Sequence, residues 1–310
     1  MGTSRNAGLF VLLSFLWGTA FMAIKVGLEF FPPVLFAAFR YDIAGVILLG
    51  YAATSTDHWR PRTRADWLTV LVGSTLIIAL YNAFLFIGQQ GVTSGVAAIL
   101  IGMNPILATG FSRAFLPNER LAPLGIAGLL LGFVGVGIVA RPTASAVLAD
   151  NAVAQGFILL AAAAVALGSV LVQRVDSGIP TVGMVAWSNA LGAVVLHAIS
   201  VGMPGESLRQ AEFSTGGLLA LVYLAVLASA VGYVIYFDLL DRLGAIEINL
   251  VSYTVPVFAA LSGWLVLDET LTLRAVGGFL VILIGFGMLK REALADLVAS
   301  WRRVATAPTD

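Results

Sequence analysis

Two stretches of the chain decide its fold: Glu119–Arg141, ERLAPLGIAGLLLGFVGVGIVAR, and Glu269–Arg291, ETLTLRAVGGFLVILIGFGMLKR. They stand 150 residues apart, and the positions that coincide include Glu119/Glu269, Leu121/Leu271, Gly128/Gly278, Gly135/Gly285, Gly137/Gly287 and Arg141/Arg291. The same shift pairs Gly18-Thr19 with Gly168-Ser169, and Pro105 with Pro256 after one residue of slippage. Chance gives two or three glycine matches in glycine-rich apolar sequence. These identities, with an acidic residue at one end and an arginine at the other, mark a repeat. Each copy has the length of a bilayer-crossing helix, about 20 apolar residues.

The rest of the 310-residue chain agrees. It is 59% hydrophobic and 11% charged, against about 25% charged in soluble domains, and its mean hydropathy is +0.97. Such a chain cannot cover a soluble surface, which excludes a soluble enzyme, a nucleic-acid binder and a large extramembrane domain. The net charge of zero says nothing about partners, and the absence of Cys excludes a disulfide framework, thiol nucleophiles and Cys-ligated metals.

Apolar runs divided by polar or Pro/Gly breaks predict an all-α integral membrane protein with ten transmembrane helices. The expected spans are Ala7–Leu28, Pro33–Tyr51, Trp67–Gln89, Thr93–Leu116, Ala122–Ala140, Ala154–Gln173, Val182–Val201, Gly217–Asp238, Ile248–Leu267 and Leu273–Lys290. The first reads as a span and not a signal peptide, because it lacks a leading basic cluster and a small-residue cleavage site. Residues 1–145 form one five-helix repeat and residues 146–291 the second. Residues 292–310 are a tail in which Leu294, Leu297, Val298 and Trp301 share a helical face beside Arg302 and Arg303, the spacing of a helix lying on the membrane surface.

Five is odd, so the second repeat enters the membrane inverted relative to the first. Inverted repeats are a hallmark of secondary transporters, with the substrate site near the midplane at their interface. Placing the N-terminus inside puts twelve Lys/Arg in inner loops and tails against three outside (Arg141, Arg209, Arg274), with Lys25 and Arg40 counted as intramembrane. Both termini are therefore expected in the cytoplasm.

The stretch Trp17-Gly18-Thr19-Ala20-Phe21, with Lys25, the Pro32-Pro33 break and Arg40, resembles the opening of the EamA-like branch of the drug/metabolite transporter superfamily. The run Pro256-Val257-Phe258, then Asp268-Glu269-Thr270-Leu271, Gly277-Gly278 and Gly285, resembles that family's most recognisable block, and Pro105 through Glu119 to Gly137 is its first-half counterpart. Together they cover nearly the whole chain. The resemblance implies a ten-helix, inverted-repeat carrier of the bacterial inner membrane, often an exporter of amino acids or related metabolites, with the YddG-type amino-acid exporters as the nearest subgroup. The small multidrug members of the superfamily carry a Glu within their first helix. Span one here has none, so their proton antiport is not carried over.

Charges inside a membrane cost about 2.5–3.5 kcal/mol each on insertion scales and face a cavity or a partner. Arg40 and Asp42 lie near the middle of span two, about 200° apart around the helix. One is expected to face the central space and the other a neighbouring helix. A guanidinium holds a carboxylate bidentately, which makes Arg40 a candidate substrate ligand; the alternative is a structural charge satisfied by neighbouring helices. Asp42 is the candidate proton-coupling residue. Lys25 and Glu29 are one turn apart and expected to pair, with snorkelling of Lys25 as the alternative. Glu119 and Glu269 precede spans five and ten, where a carboxylate complements a helix N-terminus, and are expected to be caps.

Polar and aromatic residues near mid-membrane complete the candidate substrate site: Trp17, Thr19, Tyr81, Asn82, Asn104, Trp187, Asn189, Tyr233, Ser252 and Tyr253, with Tyr236 beside them. Trp59, Trp67 and Trp301 fit an interfacial belt instead. Pro105 and Pro256 are expected to break spans four and nine at corresponding positions, a pointer to a binding site in repeated carriers, although membrane helices also kink at Pro without ligand duty. Gly128, Gly132, Gly135 and Gly137 allow close helix approach and are assigned to scaffold or dimer contact.

The expected function is therefore a secondary transporter that exports amino acids or related small metabolites by alternating access. The alternatives of the same fold are a multidrug, organic-cation, nucleoside or sugar carrier. A channel fits less well, and an intramembrane enzyme lacks its motifs: His58 and His197 stand alone, and no Gly-x-Ser-x-Gly or P-loop occurs. His197 is expected to pack. No cofactor and no metal are expected. The expected partners are a small-molecule substrate and membrane lipid, with no nucleic acid, in a monomer or homodimer.

Overall fold

A computed structural model describes residues 2–115, 123–140, 150–175, 177–243, 248 and 250–289. Among these the secondary structure is helical: α1 (Gly2–Gly27), α2 (Pro33–Ser55), α3 (Arg64–Gln89), α4 (Ser94–Phe115), α5 (Pro123–Ala140), α6 (Asp150–Arg174), α7 (Thr181–Gly202), α8 (Thr215–Leu243), α9 (Val251–Leu267) and α10 (Leu273–Leu289). Seven of them, α1–α4 and α6–α8, are long and apolar enough to cross a membrane; the apolar parts of α5, α9 and α10 are shorter, at 10–17 residues. Glu119, Arg141, Arg291 and the tail from residue 292 lie outside the described residues.

Helix starts are set by local chemistry. Thr63 and Asp66 form a reciprocal capping box at the head of α3, so that helix begins at Arg64, before the expected Trp67. Pro33 opens α2 in the first helical position, where its missing N–H costs nothing. The next two N–H groups, of Val34 and Leu35, are held at 2.7 and 3.0 Å by the two oxygens of Glu206, which lies between α7 and α8.

α5 packs on α10 and α2 on α7; α1 packs on α9 and α8, and α6 on α4 and α3; α3 also touches α7, while α8 also touches α2. Exchanging each of α1–α5 with the helix five places later leaves these pairings unchanged. Within α3 the backbone widens to a π-helix over Gly73–Leu80, and within α8 over Tyr223–Val231. The two wide segments begin 150 residues apart, at Gly73 and Tyr223.

The α5/α10 contact is backbone against backbone. A Cβ at Gly135 would stand 2.8 Å from Gly278 O, and one at Gly285 would stand 2.6 Å from Gly128 O. These glycine faces are thus used within one chain, as scaffold. Gly137 meets nothing within 4 Å.

Two expectations about helix breaks fare differently. Span four is interrupted: helix runs to Ile101, turns at Gly102–Met103 and resumes at Asn104, ahead of Pro105. Span nine is not broken at Pro256. That proline sits inside a helix that starts at Val251, so the single hydrogen bond it forfeits, to Ser252 O, lies in the first turns, where little ladder is lost. The two places still meet, because Ser252 O is 3.7 Å from where a Cβ on Gly102 would be.

The expected Lys25–Glu29 pair does not form. Glu29 is exposed, whereas Lys25 Nζ donates to Val92 O and lies 3.5 Å from Glu269 Oε1. Glu269 caps a helix, but α4 and not its own α10: its oxygens accept from Ser94 N at 2.8 Å and Ser94 Oγ at 3.2 Å. Sequence adjacency pointed to α10; the left-handed turn at Asp268, φ 52°, swings the next residue back over Gly263, the one side chain small enough to admit the carboxylate.

A charged cavity between the two halves

Between the halves lies a cavity of about 360 Å³. Its wall comes from α1 (Trp17, Phe21), α2 (Arg40, Tyr41), α3 (Ile77, Tyr81), α4 (Ile101, Asn104), α7 (Ser188, Asn189), α8 (Tyr233, Tyr236) and α9 (Ser252). Of the eleven expected substrate-binding residues, Trp17, Arg40, Tyr81, Asn104, Asn189, Tyr233 and Ser252 meet there.

Among the described residues Arg40 is the one charged residue on this wall, and none of them that lines it is acidic. Its side chain is buried, with the residue 8% exposed. Nε donates to Ser229 Oγ at 2.9 Å, and the guanidinium carbon lies 5.1 Å from the Tyr41 ring centroid. No carboxylate pairs with it among the described residues, and the Nη groups have no acceptor there. A buried, uncompensated cation is expensive, and an anion in the cavity would offset that cost. Ser229 sits on the π-helical part of α8 and is a residue the sequence reading missed; nothing in its local sequence marks it.

Asn82, expected at the substrate site, is not among the residues of the cavity wall. It is fully buried, donates to Ile78 O at 2.7 Å and accepts from Tyr41 OH at 3.2 Å, so both ends of its amide are used. Through Tyr41 it supports the face on which Arg40 rests.

Trp17 hydrogen-bonds through Nε1 to Ala228 O at 3.1 Å, on the other π-widened turn. Its ring stacks on Tyr236 at 5.6 Å and meets Tyr233 edge-on at 6.2 Å. Gly232 makes this possible, since a Cβ there would be 2.8 Å from the indole nitrogen.

The remaining candidates lie elsewhere. Thr19 bonds to Tyr223 OH and back to Phe15 O, facing α8 beside a separate apolar groove. Trp187 stacks on Trp59 at 6.1 Å and donates to Trp59 O, closing the end of the bundle that carries the loop between α2 and α3. Tyr253 packs on Phe286 of α10, ring centroids 4.4 Å apart. Asp42 points away from the cavity, as its angle to Arg40 requires; its Oδ2 is 2.8 Å from His197 Nε2 on α7, on a partly exposed flank beside Val46 and Val194. The hydrogen-bonded packing role expected of His197 is thus met by Asp42, a long-range partner with no local sequence signal.

The sequence profile of the EamA-like transporter family matches the chain twice, over residues 6–141 and 153–290. Among curated proteins the chain is similar to the uncharacterized transporter YvbV of Bacillus subtilis (26% identity, 96% of this chain, 95% of the relative). It is similar also to a probable amino-acid metabolite efflux pump of Salmonella typhimurium (29%, 91% and 94%). The uncharacterized inner membrane transporter YedA of Escherichia coli is 30% identical, with 86% and 84% covered. A crystal structure shares the fold at a TM-score of 0.64 and 20% identity, covering 94% of this chain and 98% of that one. With many apolar helices, a cavity between two halves that share one packing scheme, and a family profile matched in each half, the chain belongs to the EamA-like transporter family.

Proposed function

We propose that the protein is a secondary transporter that exports amino acids or related small carboxylate metabolites across the bacterial inner membrane by alternating access. The observation that carries this reading is Arg40, a buried guanidinium on the wall of an aromatic cavity with no counter-charge among the described residues. A carboxylate is the common metabolite group that matches its fork with two parallel hydrogen bonds. Trp17, Tyr81, Tyr233 and Tyr236 then offer amphipathic faces to an apolar side chain. An organic-cation carrier is disfavoured by the same charge. The name of the Salmonella relative points to the same substrate class.

In this reading all ten helices cross the membrane, as two inverted repeats with both termini cytoplasmic. The exchange symmetry of the packing and the 150-residue spacing of the π-helical segments support it. The end bearing Lys25, Ser94, Glu206 and Glu269 is then periplasmic, and the end bearing Trp59, Asp66 and Trp187 is cytoplasmic. The two π-segments flank the site and are the natural places for helix geometry to change as access alternates. No acidic group lines the cavity among the described residues, so substrate follows its own gradient without a cavity carboxylate carrying protons.

Counterflow of radiolabelled amino acids into proteoliposomes tests the proposal. Saturable exchange that is lost in Arg40→Gln supports it. Exchange of amino acids unaffected by that substitution, or exchange confined to organic cations, overturns it.

A further inference from the structure

Asn189 is fully buried, and its Nδ2 donates to Val185 O at 2.7 Å. That bond fixes the amide orientation, because the flipped form would set two acceptors against each other. Oδ1 is therefore the atom left over, and it is buried with no donor. Asn104, the first residue after the break in α4, likewise has a buried Oδ1 with no donor. Both residues lie on the wall that carries Arg40, one from each half of the chain.

A buried acceptor without a donor is costly, and such groups in native proteins call for an explanation. Two on one cavity wall are explained by a ligand that brings N–H donors. Their being amides also follows from the site. A carboxylate in this position would offset the charge of Arg40 and admit simple amines. A neutral carboxamide oxygen attracts an ammonium and leaves the guanidinium free.

We infer that Asn189 and Asn104 read the primary ammonium of the substrate while Arg40 holds its carboxylate, which makes the cavity selective for zwitterions over simple carboxylates and simple amines. This rests on the carrier reading above and adds the second recognition point. An amine without a carboxylate is repelled by Arg40, and a carboxylate without an amine leaves both amide oxygens bare.

The test uses three compounds of one shape, L-phenylalanine, 3-phenylpropanoate and phenethylamine, competing for binding to the purified full-length protein in detergent. The expected order is phenylalanine tighter than 3-phenylpropanoate by at least about tenfold, the usual scale for one unpaired buried polar group, with phenethylamine weakest. Asn189→Leu and Asn104→Leu should narrow the first gap by weakening phenylalanine alone. Asn189→Asp should bring phenethylamine into range, a gain that misfolding cannot produce. Equal binding of the two carboxylates, with both lost in Arg40→Gln, overturns this inference and leaves the carboxylate carrier standing. A gap that persists in the Asn189 and Asn104 variants overturns their role. Failure of both carboxylates to bind, or binding indifferent to Arg40, overturns the carrier reading and this inference with it.

Discussion

Glu269 ties three segments together at one end of the bundle, and removing its carboxylate should be felt in stability before transport. Its side chain is 9% exposed and receives two hydrogen bonds from Ser94, one from the backbone N–H at the start of α4. Hydrogen bonds to a charged group contribute about 1.5–3 kcal/mol, but these two share one carboxylate and are not additive. The Lys25 ion pair adds less than about 1 kcal/mol, because that side chain is 29% exposed and screened. Glu269→Ala should therefore cost about 3 kcal/mol, or about 5 °C in thermal unfolding in detergent. Glu269→Gln should cost about half that, and Lys25→Met least. The decisive control is Ser94→Pro. Ser94 is the first helical position, where proline fits, and Thr93 before it is already extended at φ −73°, ψ 156°. The substitution thus removes both hydrogen bonds that Glu269 receives, from the N–H and from Oγ, and little else. The double variant should show a coupling of about 1.5 kcal/mol or more with Glu269→Ala. Strict additivity would mean that Glu269 stabilises its own α10, and the cross-repeat cap would be refuted.

Three further outcomes follow from single contacts. Gly285→Val drives a Cβ into Gly128 O, 2.6 Å away, and should lower stability by about 3 kcal/mol or prevent folding, whereas Gly137→Ala, which meets nothing within 4 Å, should change thermal unfolding little. Asn82→Leu strands the Tyr41 hydroxyl and should cost about 1–3 kcal/mol in thermal unfolding and weaken carboxylate binding through Arg40, an effect absent if Tyr41 does not support the guanidinium. Asp42→Asn should leave counterflow and its pH profile unchanged, since the side chain faces α7 and not the cavity; a flattened pH profile would make it a proton site after all.

Much of the scaffold was legible because it rests on periodic and repeated features. Apolar runs gave the helices to within a few residues, and the glycines of α5 and α10 announced a close contact. Their mutual packing was not legible, since a glycine face in sequence does not name its partner. The α3 and α8 π-segments were invisible for a different reason: one extra residue per turn leaves no compositional trace in GSTLIIAL or YLAVLASAV. Thr19, Trp187 and Tyr253 were placed by depth along a helix, but depth does not give the direction a side chain takes around it. Asp42 and His197 lie 155 residues apart, beyond any local spacing rule.

The residues that do line the cavity share a property the sequence already held. Under the 150-residue shift, Arg40 faces Ala190, Asn189 faces Phe39, Trp17 faces Leu167, Tyr81 faces Val231, and Tyr233 faces Ala83. The glycines that pack α5 on α10 repeat; the cavity residues do not. A two-fold scaffold follows from two like halves, but a wall obeying that symmetry would offer a substrate the same group twice. An amino acid has unlike ends, and binding it in one orientation needs a cation opposed by neutral acceptors, an arrangement that exact repetition forbids. The exchange at Asn82 and Gly232 shows how the departure is accommodated. In the first half the Ile78 carbonyl is taken by Asn82 of the same helix; in the second, the equivalent Ala228 carbonyl is taken by Trp17 from across the interface, in the space that Gly232 leaves open. The same backbone group is satisfied both times, once by a local amide and once by an indole that also forms part of the cavity wall. In this fold the positions where the repeat fails are therefore where binding residues should be sought first.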